Sequence, residues 1–428
     1  MSALNTVPDP EMNTPRPKLK SLDDARTELL DFAVTLSALQ DIATFDADGR
    51  VLARDLISEL HVPPQDNSAM DGYAVRCADW VGPDAALPVS QRIAAGTSGE
   101  PLQAQSVARI FTGAPIPLGA DAVVMQEDCE VLSDGSNRIR IRQQPKSGQW
   151  IRRAGEDVAR FSVVLSAGVR LNPAALGMAA SIGLSSVPVR RQPRVALFST
   201  GDELVMPGEV DPDQLRAGAI YNSNRFFLRA LLHRFGCVVT DLGIVPDRLD
   251  ATVQALSQAA GQHDLILTSG GVSVGEEDHI KPAVQSLGEL NLWQIAIKPG
   301  KPFAYGRVQR PRSDEFAHFI GLPGNPVSSF ITFLLLVRPF LLRLQGASQT
   351  EVTGVNWAAH FDWPRADQRR EFLRVRRNAA GGLDLYPNQS SGVLTSAVWG
   401  DGVVDNPAGQ TIARGDSVRF ISFSELMG

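Results

Sequence analysis

Apolar residues recur along this chain in two rhythms. Between residues 194 and 345, short apolar runs alternate with segments of helical spacing. The runs 194–198, 238–245, 265–268, 293–297 and 318–321 read as strands. The stretches 222–235 (with Phe226, Phe227, Leu231 and Leu232 apolar), 251–260 and 281–287 read as helices. Such alternation predicts a doubly wound, mostly parallel α/β sheet. The most apolar stretch, 330–344, is interrupted by Arg338-Pro339 and too short to span a bilayer, so a buried helix over 326–344 is expected. Elsewhere the period shortens. Runs at 107–111, 122–126 and 138–142 predict a small β unit within 61–148, and 371–375 with 417–423 predict a C-terminal β-barrel over 346–428. Residues 21–39 form an amphipathic pattern opened by Ser21 and Asp24, a capping-box signature, and 173–182 reads as another helix. The expected division is a disordered leader at 1–18, an extended linker domain from 19–60 and 149–193, the β domain 61–148 inserted within it, the α/β domain 194–345 and the barrel.

Composition narrows the classes. At 428 residues and 43% hydrophobic, the chain has material for several domains and a large core. A net charge of −6 argues against nonspecific nucleic-acid binding. Cys77, Cys129 and Cys237 have neither metal-ligand spacing nor an even disulfide count, which predicts a reducing cytoplasm. The six histidines form no His-x-x-x-His pair, so no zinc site is expected; His279, beside Asp278, reads as a helix-start residue. The leader carries Pro8, Pro10, Pro15 and Pro17 and no apolar signal segment, so neither secretion nor a membrane anchor is expected.

The chemistry gathers in glycine turns after the apolar runs. Residues 269–278 read Ser-Gly-Gly-Val-Ser-Val-Gly-Glu-Glu-Asp, and 298–302 read Lys-Pro-Gly-Lys-Pro. Two more turns are Ser199-Thr200-Gly201-Asp202-Glu203 and Leu322-Pro323-Gly324-Asn325-Pro326. A glycine turn at a strand's carboxyl end exposes backbone N–H groups to phosphate oxygens. The acids suit a hard cation, and two exposed lysines suit an anion. Singly, each turn reads as an ordinary connection with solvated charges. Together they should line one crevice beyond the carboxyl ends of the strands and handle an oxyanion-rich substrate with Mg²⁺. A second polar cluster, Asp66-Asn67-Ser68-Ala69-Met70-Asp71-Gly72, precedes a short strand and reads as a side-chain-bonded loop, structural or functional.

These residues carry a resemblance. The chain resembles the molybdopterin molybdenumtransferases of the MoeA type, related to the C-terminal part of gephyrin. The matching motifs run in family order from about residue 20 to 345. They are Asp66 through Val75, Thr112-Gly113-Ala114-Pro115, Arg153-Ala154-Gly155-Glu156-Asp157, Ser199 through Leu204, Thr268 through Ser273, Lys298 through Pro302 and Gly321 through Pro326. The C-terminal domain matches in character alone, and Gln65 stands where many members have an apolar residue. The resemblance implies an elongated four-domain homodimer, with the cleft between the α/β domain of one subunit and the inserted domain of the other. It implies hydrolysis of molybdopterin adenylate with Mg²⁺ and molybdate, releasing molybdenum cofactor and AMP. Ser199, Thr200, Gly201, Ser269, Gly270, Gly271 and Ser273 would then bind substrate, and Glu203 and Asp278 would carry Mg²⁺. Lys298 and Lys301 would offset oxyanion charge, and Asn325 and Ser328 would sit at a helix N-terminus. Asp71, Thr112, Asp157 and Asp247 fall at positions linked to activity, and Arg370 and Ser391 would face molybdate. The pathway's adenylyltransferase and recipient molybdoenzymes are possible partners. Two alternatives stay open: an adenylyltransferase that makes the pterin adenylate, and a noncatalytic gephyrin-like scaffold, for which an 18-residue leader is short.

Overall fold

The structure is a computed structural model, described here for residues 19–271 and 279–428. The α/β part is built on a six-stranded sheet. Its order is Val238–Val245, Arg194–Thr200, Leu265–Ser269, Phe316–Leu322, Pro302–Gln309 and Gly288–Gln294. The first four strands are parallel, and the last two run antiparallel at one edge. Successive side chains alternate between faces, and each face has its own core. Val195, Leu197, Leu265, Leu267, Ile320 and Leu322 pack with helix Ser223–Arg234 and the long helix Pro326–Leu344. Ala196, Phe198, Ile266 and Phe319 pack with helices Leu249–Gln262 and Ile280–Leu287. Burial on both faces is why these strands read as unbroken apolar runs.

Two expectations need correcting. The buried helix expected over 326–344 forms, but Arg338-Pro339 does not interrupt it or leave it too short for a bilayer. Proline has no N–H to give the fourth carbonyl back, so the ladder widens to a π-type stretch over Phe333–Val337, where Arg338 N–H reaches Phe333 O. The helix is then long and apolar enough to cross a bilayer, but 83% of it is buried inside the protein, as befits a core helix. The second correction concerns 293–297. The edge strand ends at Gln294, and Ile297–Lys298 leaves the α/β sheet to pair in parallel with Arg370–Glu371 of the C-terminal barrel.

That barrel closes on itself. Strands Arg370–Arg377, Gly382–Leu385, Val355–Ala359, Ser417–Ser422 and Gly402–Asn406 follow in order, and the last pairs back with the first. Phe361, Leu373, Val375, Leu383, Val404 and Phe420 fill it. The N-terminal half holds helix Leu22–Phe32, capped by Ser21 Oγ accepting from Asp24 N at 3.0 Å. Leu39–Ala43 pairs with Ser186–Arg190, and Leu56–Ile57 with Val163–Leu165, so the segments flanking 61–148 join in space. Between them lies a six-stranded sheet: Ala122–Met125, Gly72–Val75, Val107–Ile110, Ala86–Ile93, Arg138–Ile141 and Cys129–Val131.

Candidate functional site

A crevice of about 540 Å³ opens at the carboxyl ends of the parallel strands. Three of the four glycine turns meet there. Thr200, Gly201 and Glu203 come from the first, Ser269, Gly270 and Gly271 from the second, and Asn325 and Ser328 from the third. Asp247 joins them from the loop after Val238–Val245. Ser199 is fully buried behind the wall. The turns are close-fitting: Gly201 has φ +138°, and a Cβ there would lie 2.6 Å from Glu203 Oε2. Only glycine lets that carboxylate fold over the turn. Helix Ser223–Arg234 also points its N-terminus at the crevice, through Asn222, Ser223 and Asn224.

The fourth turn is placed differently. Of Lys-Pro-Gly-Lys-Pro, Pro302 alone reaches the crevice wall. Lys298 Nζ is drawn to the barrel, 3.1 Å from Glu371 Oε1 and 3.3 Å from Asp367 Oδ2. Glu371 is 1% exposed and also accepts from Trp363 Nε1 at 2.7 Å. Asp367 is held well below the usual carboxylate range, first by the Arg369 guanidinium and less by Lys298. Gly300, at φ +114°, packs so closely on the long helix that a Cβ would sit 2.4 Å from Thr332 Oγ1. Lys301 is exposed.

The barrel's predicted contributors divide. Ser391 O accepts from Val327 N at 2.9 Å, so the barrel caps one N–H at the start of the long helix, beside the crevice. Arg370 is spent on carboxylates, at 2.6 and 2.7 Å to Asp405 and 3.1 Å to Asp23, and faces a separate cavity of about 560 Å³. In the inserted domain, Asp71 Oδ1 accepts from both Thr112 N and Thr112 Oγ1 at 2.8 Å, which holds its carboxyl below the ordinary value. Asp157 N donates to Val62 O at 3.0 Å, and its side chain is exposed. None of Asp71, Thr112 or Asp157 lines the crevice of its own chain. Ser273 and Asp278 lie outside the described residues.

Sequence reasoning missed four residues. Asn222 and Asn224 line the crevice, and Glu371 with Asp367 holds Lys298. The asparagines were discoverable: Tyr221-Asn222-Ser223-Asn224 directly precedes a helical run, the place for caps and exposed N–H groups. Glu371 gave no signal, since its partner is 73 residues away.

The class defined here is a multi-domain α/β protein whose parallel sheet ends in an anion-suited crevice, carried with a closed C-terminal barrel. Family models match nearly end to end: the MoeA N-terminal region (domain I and II) over residues 20–183, the "probable molybdopterin binding domain" over 196–343, and the MoeA C-terminal region (domain IV) over 357–423. A molybdopterin molybdenumtransferase of Haemophilus influenzae is 44% identical over 330 residues, 77% of this chain and 78% of that one. One from Nostoc is 33% identical over 93% and 94% of the two chains. The crystal structure of the molybdopterin biosynthesis MoeA protein from Pyrococcus horikoshii OT3 superposes with a TM-score of 0.81 at 28% identity, covering 95% of this chain and all of that one. The chain belongs to the molybdopterin molybdenumtransferase family.

Proposed function

We propose that this protein is a transferase of molybdenum cofactor biosynthesis. It takes molybdopterin adenylate and molybdate, hydrolyses the adenylate and releases molybdenum cofactor and AMP. The single observation that carries this is the crevice, where two glycine turns, a helix N-terminus and the carboxylates Glu203 and Asp247 meet. Backbone N–H groups of the turns at Gly201 and Gly271 hold the diphosphate oxygens. In the hydrolysis, water adds to phosphorus, one phosphoanhydride P–O bond breaks, and AMP leaves as an oxyanion. Mg²⁺ fits this site, because it takes one or two carboxylates plus substrate phosphates, and it would screen charge on the breaking bond. Within the described residues Glu203 and Asp247 are the carboxylates placed to hold it; Asp278 is a further proposed ligand. Lys301, and Lys298 when released from Glu371, supply positive charge for molybdate beside the barrel's Ser391 turn.

A homodimer completes the reading. Asp71, Thr112 and Asp157 sit apart from the crevice of their own chain, as they would if they served the crevice of a second copy. Recipient molybdoenzymes and the pathway's adenylyltransferase are proposed partners, and the cytoplasm the proposed compartment. Purified protein given molybdopterin adenylate and Mg²⁺ should release AMP when molybdate is added, with little release without it. Adenylate formation from ATP and free molybdopterin would instead mark an adenylyltransferase. Neither activity, with intact fold, would favour a scaffold.

A further inference from the structure

The barrel buries one cation that meets only neutral oxygens. Arg374 is 1% exposed. Its guanidinium donates from Nε to Ser396 Oγ at 3.1 Å, from Nη1 to Phe372 O at 3.0 Å and from Nη2 to Ser390 O at 3.3 Å. Burial brings its pKa down from 12.5 to about 10, and no neighbouring charge adds to the shift. The group therefore stays a cation at neutral pH. Buried charges are ordinarily paired, because leaving water is costly. A guanidinium kept here without a carboxylate has its counter-charge elsewhere.

Two of its three bonds hold one turn, 389–393. Ser396 Oγ donates onward to Val393 O at 2.7 Å. Gln389 grips the Arg374 main chain from both sides, accepting from its N at 2.9 Å and donating to its O at 3.0 Å. The turn is thus wrapped around the guanidinium. In a trans peptide the C=O and the following N–H point opposite ways. With Ser390 O aimed at buried Arg374, the Ser391 N–H points away from it, and it has no acceptor among the described residues. Ser391 is partly exposed, and its own O accepts from Val327 N at the start of the long helix, where Asn325 and Ser328 line the crevice. A cation behind the turn and an unpaired N–H on its other side suit an anion.

We propose that Arg374 is a positioning residue for the molybdate oxyanion. It acts through the Ser390–Ser391 peptide, turning the Ser391 N–H to the ligand, and its unbalanced charge favours an anion there. Arg374 itself touches no ligand. The inference rests on the reading above that molybdate sits beside the Ser391 turn. Removing the guanidinium should then cost molybdate affinity and leave cleavage of the phosphoanhydride bond largely as it is.

The experiment titrates molybdate against AMP release at saturating molybdopterin adenylate and Mg²⁺, with thermal midpoints recorded alongside. We expect Arg374→Gln to raise the molybdate concentration at half-maximal release about 10-fold, with the maximal rate and the half-saturating adenylate concentration within about 2-fold of wild type. Arg374→Lys keeps the charge, loses the fork and should recover part of the shift. Unchanged half-saturation in Arg374→Gln overturns the inference and leaves the proposed function standing. So does a fall in maximal rate and midpoint without a change in half-saturation, the mark of a structural role alone, and so does an Arg374→Lys no better than Arg374→Gln. Should Arg374→Gln fail to fold, Ser396→Ala decides: it frees Nε and Val393 O, keeps the cation and should raise half-saturation about 3-fold, an unchanged value overturning the inference. A wild type whose AMP release ignores molybdate overturns both the inference and the reading beneath it.

Discussion

Replacing Lys298 by alanine should destabilise the junction between the α/β sheet and the barrel, although lysines on Pro-Gly turns are usually expendable. Glu371 Oε1 lies 3.1 Å from Lys298 Nζ, and the carboxylate is 1% exposed. Its other oxygen keeps Trp363 Nε1 at 2.7 Å and Asn406 Nδ2 at 3.5 Å. Taking one partner from a fully buried ion pair costs about 3–5 kcal/mol. The Lys298 side chain is 37% exposed, so water can reach the vacated position, and the loss should fall to about 2 kcal/mol. It should be local, because Ile297–Lys298 pairs with Arg370–Glu371. Amide hydrogen exchange in 370–377 should speed up about 30-fold, the equivalent of that free energy, while strands 194–200 and 265–269 keep their protection. Adding Glu371→Gln to Lys298→Ala removes the stranded charge and should restore much of the protection. Unchanged exchange in Lys298→Ala, or a double variant no better protected than the single one, would refute the reasoning. The outcome also decides how activity data are read. An inactive Lys298→Ala could have lost charge at the substrate or the seating of the whole turn, whereas exposed Lys301→Ala tests charge alone.

Burial pushes His318 down from 6.5 to about 4, and its ring meets Tyr305 Oη at 2.9 Å. A neutral buried histidine contributes stability above pH 6.5 that fades as pH falls towards 4, because the unfolded chain takes up the proton first; up to ~3 kcal/mol should disappear over that window, and denaturant titrations of His318→Gln should show a flatter profile. Gly300→Ala must move Thr332 or the turn, so its thermal midpoint should drop by several degrees, against a smaller drop for Gly96→Ala, where no atom lies within 4 Å of the added carbon. Glu203→Gln should shift the Mg²⁺ dependence of AMP release to much higher concentration while the exposed site leaves the melting point in place; unchanged Mg²⁺ dependence would remove Glu203 from the metal site. Mixing Asp71→Asn with Glu203→Gln under subunit exchange should recover about a quarter of wild-type activity if each crevice takes Asp71 from the partner, since about half the dimers are mixed and each has one intact crevice. No recovery, with exchange verified by mass, would place Asp71 in the service of its own chain.

Legibility in this chain followed burial. The parallel strands stood out because Val195–Phe198, Leu265–Leu267 and Phe319–Ile320 are covered on both faces, leaving continuous apolar runs bounded by glycine turns. The barrel was readable as a class and not in detail, because short strands with one wet face carry little pattern. The helix over 326–344 was legible, but Arg338-Pro339 read as an interruption because proline predicts a missing hydrogen bond and not how the helix absorbs it. Here a wider turn over Phe333–Val337 does so, held by packing that no local propensity records.

The candidate site divided along the same line. Glu203, Ser269, Gly270 and Asn325 were readable because each lies at or within three residues of a strand's carboxyl end, and position beyond a parallel strand end nearly decides what a turn faces. Lys298 was misplaced because its two-residue strand changes sheets, and apolar periodicity says that a segment is extended without naming its neighbour. That change of sheet has a chemical consequence. In one geometry the Lys298 cation is neutralised by Glu371 and Asp367, whose carboxylates would repel an arriving oxyanion. For Lys298 to serve molybdate, the ammonium must exchange these carboxylates for the ligand, so the barrel that holds the lysine also sets how strongly an anion must compete for it. The affinity for molybdate should therefore depend on residue 371: Glu371→Gln weakens the hold on Lys298 and should lower the molybdate concentration at half-maximal AMP release. A rise in that concentration would mean that Glu371 presents the lysine instead of withholding it.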